Sequence, residues 1–307
     1  MELSRAARFR RSFQPKSWPF WGVHMLAIGG VILSGWSWSG FALAVALYGV
    51  RMFFITAGYH RYFSHRSFKT SRAFQFFLAW AAESTAQKGV LWWAGHHRKH
   101  HRYSDQPGDV HSVKLDGFWW SHVGWIVGSV PEFDEPDLER VKDLSRYPEL
   151  RWLQRHNMVP PIVLAVAMAL IGGWHLLLWG FFVSTVMAWH GSFSINSLAH
   201  LIGRRRYATS DESRNSFMLA VITCGEGWHN NHHHYMTSAN QGWRWYEIDV
   251  TYYVLRVLGW MRLVWDIRVP PAHVVRGEIR RGEGPADADE VATAPELEEP
   301  APLRRAA

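Results

Sequence analysis

The chain has 307 residues, of which 48% are hydrophobic, 15% aromatic and only 19% charged, a balance that excludes a disordered protein. Its single cysteine, Cys224, excludes a disulfide-stapled fold. A net charge of +7 and a mean hydropathy of −0.16 hide segments of opposite character.

Residues 1–17 carry Arg5, Arg8, Arg10, Arg11 and Lys16 and read as a basic cytoplasmic N-terminus. A signal peptide is the alternative, but no small-residue cleavage site follows and the apolar run doubles back. Residues 17–50 contain no Asp, Glu, Lys or Arg. They predict a hairpin of two membrane-spanning helices, about 18–36 and 40–59, turning at 34–40, with the second running on past Arg51 as that side chain snorkels or faces protein. Residues 156–203 are also uncharged. At 1.5 Å per residue one helix of that length would be roughly 70 Å long, so it reads as a second hairpin, about 157–176 and 178–201, turning at Gly172-Gly173-Trp174-His175. The apolar runs 73–82 and 118–130 are too short to cross and predict interfacial or buried helices. The aromatics from Trp243 to Trp265, interleaved with Arg244, Arg256 and Arg262, read as an interfacial belt.

The fold class is therefore an all-α membrane protein, with four transmembrane helices in two hairpins and a cytoplasmic helical cap. Residues 18–275 form one membrane domain, and 276–307 a disordered acidic tail, because 282–303 hold seven acids and no Lys or Arg. Positive charge at the N-terminus, between the hairpins and at Arg204, Arg205 and Arg206 puts both termini and the cap in the cytoplasm. Without its tail the body carries about +14, suited to anionic headgroups or an acidic partner. Nucleic acid is not expected, since the basic residues flank the spans.

Chemistry shows in the histidines. Nine of eighteen fall in three short boxes: His60 and His65; His96, His97, His100 and His101; and His229, His232 and His233, with His234 adjoining. His97, His100 and His101 stand at i, i+3, i+4, as do His229, His232 and His233, so each triplet projects three imidazoles from one helix face. Imidazole is the commonest metal ligand. The register is open, since His96 lies four before His100 and His234 extends the third box; His97 and His233 preserve the repeat. His60 and His65, about 140° apart on an ideal helix, share a metal only if the helix ends or distorts between them. Asn196 and His200, one turn apart near the end of the last span, are a polar pair expected to face protein. Nine imidazoles exceed what one metal uses and imply two, and nitrogen ligands suit Zn, Cu, Fe or Ni.

His60-Arg61-Tyr62-Phe63-Ser64-His65, His97-Arg98-Lys99-His100-His101 and Gly225-Glu226-Gly227-Trp228-His229-Asn230-Asn231-His232-His233 resemble the three boxes of the integral-membrane acyl-CoA desaturases of the stearoyl-CoA type. Ser121-His122-Val123-Gly124-Trp125 and Asn196-Ser197-Leu198-Ala199-His200 also match that family's segments. The resemblance implies two Fe ions, and oxygen-dependent insertion of a cis double bond into a long-chain acyl-CoA at the delta-9 position. One iron would take His60, His65, His97, His101 and His232; the other His100, His200, His229 and His233, with Asn196 through a water. The di-iron centre itself does the chemistry, with no separate acid or base. Glu226 and Asp109 are candidates to orient the ligand imidazoles.

The family pattern is not complete. His96 stands where an acid is common, and the acid-rich stretch 132–149 leaves the coenzyme A contacts unassigned. No fused cytochrome b5 signature is visible, so the electron donor is expected to be a separate ferredoxin- or cytochrome b5-like protein. Rival readings are a membrane di-iron fatty acid hydroxylase or alkane monooxygenase, with the same cluster, and a metal transporter, disfavoured by boxes outside the spans.

Overall fold

The structure is a computed structural model and describes residues 5–128 and 134–278. The predicted tail from 279 onwards, with the seven acids of 282–303, lies outside the described residues, as do the last positions of the run 118–130.

A short basic helix, α1 (Arg5–Arg11), precedes α2 (Trp18–Ser34). Gly35, at φ 79°, ends α2 in a conformation that costs glycine nothing, and Ser37 caps α3 (Trp38–Phe53) by accepting from Gly40 N at 3.1 Å. α3 continues as a π-helix, Phe54–Ser64. Arg51 faces protein: its guanidinium donates to Ser184 Oγ, Thr185 Oγ1 and the Ser84 carbonyl, each at 2.8 Å, which satisfies a buried charge.

α4 (Arg72–Glu83), capped by Ser71, and α5 (Val90–Tyr103) pack on the π segment. Tyr59, Phe63, Leu78, Leu91 and Leu153 are fully buried between these elements and α6 (Pro148–Arg155). Each such side chain contributes about 1.5–3 kcal/mol by leaving water. The run 118–130 is helical over 118–127, with a π segment at Trp120–Gly124 leading into Trp125–Val127.

α7 (Val159–Leu176) is broken at Gly172 and Gly173, the second at φ 57°, so the chain reverses where the sequence places a turn. It then passes through Leu177–Val183 into α8 (Ser184–Ser197) and a 3-10 turn at Leu198–His200. Among the described residues three stretches are long and apolar enough to cross a membrane: Pro15–Ser34, Trp38–Ser64 and Val159–His200, the last containing the glycine break.

The cap is completed by α9 (Phe217–Ile222), α10 (His229–His234) and α11 (Val250–Trp260), the last capped by Asp249. A two-residue antiparallel ladder pairs β1 (Lys69–Thr70) with β2 (Val264–Trp265). It departs from an all-helical expectation because an isolated two-residue strand leaves no periodicity to read.

Candidate metal centre

The π-helix answers the problem posed by His60 and His65. Its i→i+5 pairing stacks residues five apart, and His65 N donates to the His60 carbonyl at 3.2 Å. Both imidazoles then meet His97 and His101 from α5 and His232 from α10, with ligand nitrogens all within 4.8 Å of one another. Nε2 of His60 lies 3.0 Å from that of His232, Nε2 of His65 lies 2.8 Å from that of His97, and His101 is 3.0 Å from both His97 and His232.

His100, His200, His229 and His233 form a second group within the same limit, all buried. On α5 the pair at i, i+4 (His97, His101) goes to the first group and His100 to the second; on α10 the i, i+4 pair (His229, His233) goes to the second and His232 to the first. Along a helix i+4 lies about 40° to one side of i, and i+3 about 60° to the other. One triplet therefore serves two centres.

Carboxylates set the tautomers. Asp109 accepts from Nδ1 of His100 at 2.8 Å, Asp105 from Nδ1 of His200 at 2.9 Å, and Asp211 from Nδ1 of His233 at 2.5 Å. Glu226 accepts from Nδ1 of His60 at 2.5 Å. With Nδ1–H engaged, each Nε2 presents a lone pair to the interior of its group. Nε2 of His100 and His233 is buried without a partner, and a bare neutral nitrogen there is expensive unless something positive sits in the cavity. Burial first, and neighbouring imidazoles second, hold His65, His97, His101, His229 and His232 well below the usual histidine range, so they are neutral ligands. Burial would raise Glu226, but His60 and Arg61 outweigh it and hold the carboxyl at about 2. Arg61 is itself buried and bridges Glu226 to Asp249. The donor set fits two metal ions.

Asn196 faces the cavity between the groups, one turn before His200, and its carbonyl accepts from Ser121 Oγ at 2.6 Å. His96 and His234 are in neither group: His96 stacks on Trp92 at 4.3 Å and bonds its carbonyl, and His234 stacks on Tyr207 at 4.0 Å. The sequence reasoning missed Asp105 and Asp211, which carry no spacing signal relative to His200 and His233, and His111. His111 is buried, stacks on His100 at 4.1 Å, and makes a third possible group with His100 and Asp109.

A cavity of about 620 Å³ lies between α2, α7 and α8, bounded by Phe20, Val23, Ile162 and Val166, with Lys16 and Lys88 at one end. Gln87, Ile126 and Phe193 line both this vestibule and a smaller cavity that reaches His97 and Asn196. That cavity in turn shares Trp93, His111 and Ser192 with a third, which passes the histidines and ends at Met52 and Ile55.

Long apolar helices, two groups of imidazoles that could hold metal ions and an apolar cavity close by define a membrane-type helical protein with a candidate metal centre. The sequence signature of fatty acid desaturases matches residues 36–259, and the chain belongs to the fatty acid desaturase family. It is 36% identical over 252 residues to an sn-1 stearoyl-lipid 9-desaturase of Anabaena variabilis, covering 81% of this chain and 92% of that one. It is also 36% identical over 251 residues to an acyl-CoA 5-desaturase of Anemone leveillei (81% and 77% covered), and 36% over 266 residues to an sn-2 palmitoyl-lipid 9-desaturase of Nostoc sp. (84% and 92%). The family is one of oxidoreductases acting on fatty acyl chains.

Proposed function

We propose that this protein is an oxygen-dependent desaturase that inserts a cis double bond at the ninth carbon of a long acyl chain. In this reading iron occupies both histidine groups, and four membrane spans place the cap in the cytoplasm. The observation that carries it is the pair of histidine groups beside a set of neighbouring cavities that share lining residues. Gln87, Ile126 and Phe193 at the neck hold the chain, and Met52 and Ile55 give the histidine-lined cavity an apolar wall. His60, His65, His97, His101 and His232 hold one iron; His100, His200, His229 and His233 hold the other, with Asn196 through a water. Iron in these groups supplies an oxidant that takes two hydrogens from adjacent methylenes, consuming one O2, two electrons and two protons and releasing two waters. The protein excludes bulk water with the Trp92, Trp93 and Trp125 rings around the neck and positions the methylene pair. Electrons come from a separate ferredoxin- or cytochrome b5-like donor on the basic cytoplasmic face.

The resemblance in the histidine boxes points to acyl-CoA as substrate. A second reading, an acyl chain still esterified to a membrane lipid, is favoured by the vestibule, whose walls are the apolar helices and whose rim residues Ile162 and Val166 are half exposed where lipid would lie. Two of the three relatives described above are named for lipid-linked substrates. Gas chromatography of fatty acids from a host expressing the protein tests the reaction. Purified protein given stearoyl-CoA or stearoyl-lipid vesicles decides the carrier. Oxygenated instead of unsaturated product would establish the hydroxylase.

A further inference from the structure

Behind the wall of the vestibule three histidines outside both metal groups form a hydrogen-bonded chain. His24 stands on α2, His190 on α8 and His122 in the Trp120–Gly124 turn. His24 Nδ1 is 2.8 Å from the Phe20 carbonyl, and its Nε2 is 3.0 Å from Nε2 of His190. His190 Nδ1 is 3.0 Å from Nε2 of His122, whose Nδ1 is 2.9 Å from Ser197 Oγ. His190 spends one nitrogen on each neighbour, so the three rings make a line and not a chelate.

Backbone carbonyls stand at both ends of the line, that of Phe20 at His24 and that of Phe193 at Ser197. The Phe20 carbonyl only accepts, so His24 carries its hydrogen on Nδ1 and Nε2 is the acceptor. His190 must then donate from Nε2 and accept at Nδ1; His122 must donate from Nε2 and accept at Nδ1 from the Ser197 hydroxyl. Ser197 Oγ also donates to the Phe193 carbonyl at 3.0 Å, so its single hydrogen is shared between that carbonyl and His122 Nδ1. Every ring nitrogen is satisfied, and the line ties α2 to α8 and to the Trp120–Gly124 turn. Removing His190 leaves a nitrogen without its partner on both sides.

These same elements supply the wall of the acyl path. Phe20, Val123, Val127, Trp189 and Phe193 pack into one buried cluster. Phe193 narrows the neck between the vestibule and the metal groups, and its ring rests on both His122 and His190, at 5.9 and 6.0 Å between centroids. Ser197 follows Asn196 directly, on the last turn of α8.

We infer that the His24–His190–His122–Ser197 line is a positioning device that sets the neck at Phe193, and thereby selects which carbons of the acyl chain stop beside the metal groups. The inference rests on the proposed acyl path. None of the three histidines touches substrate; they act through Phe193 and the relative placement of α2 and α8.

The test is the product profile of full-length His190→Leu, made in a host that lacks desaturated fatty acids. Double-bond position and chain length are read by gas chromatography with mass spectrometry, and bound metal is measured on the purified protein. The expected result is metal content equal to the parent, with the ratio of the main product to its positional or chain-length neighbours changed about tenfold, the size of effect a displaced apolar wall produces. A variant that keeps the parent's product ratios, at whatever rate, overturns the inference. If His190→Leu does not purify as a monodisperse, metal-bearing protein, His24→Leu decides. It cuts the far end of the line, and a shift of at least about twofold in the same ratio is expected through the coupled chain, whereas an unchanged ratio overturns it. A parent that holds metal but yields no unsaturated chain removes the acyl path and this inference with it; an active parent whose variants copy its profile removes the inference alone.

Discussion

The two histidine groups are built from the same helices in opposite proportions, and they are held in different ways. The second is fully buried, and three of its four imidazoles are each oriented by their own aspartate, Asp109, Asp105 or Asp211. The first has five imidazoles, two of them (His97 and His101) partly exposed, and one orienting carboxylate, Glu226, shared with Arg61. Its preorganisation comes from backbone, the π-helix that brings His60 over His65. Two strategies thus serve one purpose: separate carboxylates lock individual rings in the second group, and in the first an unusual helix brings together a pair of which one member, His60, also has a carboxylate.

The largest effect should come from deleting a ligand in either group. His101→Ala or His233→Ala is expected to abolish desaturation and to lower bound iron by about one equivalent, as measured on the purified protein, because a four- or five-nitrogen site loses an inner ligand. Full activity in either variant would remove that residue from its group.

Next in size is the contrast between orienting carboxylates. Asp211→Asn should weaken iron binding at the second group about 10- to 100-fold, read by metal titration. Glu226→Gln should do the same at the first group and also lower stability, since it leaves the buried Arg61 with Asp249 alone. Equal thermal stability of the two variants would show that Arg61 does not depend on Glu226.

The comparison sharpens at Asn196 and His200, which share a helix end. Asn196→Ala is expected to keep most of its iron and turn over about 10- to 100-fold more slowly, whereas His200→Ala loses iron from the second group. Complete iron loss in both would make Asn196 a direct ligand or a structural lock.

The smallest effect is kinetic. A chelator should strip iron in two phases, the partly exposed first group ahead of the buried second, and His101→Ala should retain only the slower phase. Single-phase loss from the parent would show that exposure of His97 and His101 does not govern access. His175→Ala, near the glycine turn, should change neither phase.

The sequence alone determined the long apolar helices, the glycine turn at Gly172 and Gly173, and the three boxes, because these are local: uncharged runs, helical spacing and turn chemistry all lie within a few residues of one another. It also required the helix to end or distort between His60 and His65 if both were to share a metal, without deciding between the two. Tertiary structure alone decided the rest. Which histidines of a triplet serve which centre depends on the angle at which α5 and α10 face each other, and the aspartates that lock the second group come from loops, Asp105 lying 95 residues before His200 and Asp211 lying 22 before His233. Nothing in the sequence links His24 or His122 to His190 for the same reason: they lie 166 and 68 residues from it, and no periodicity in a chain records a contact that exists only once its helices have packed.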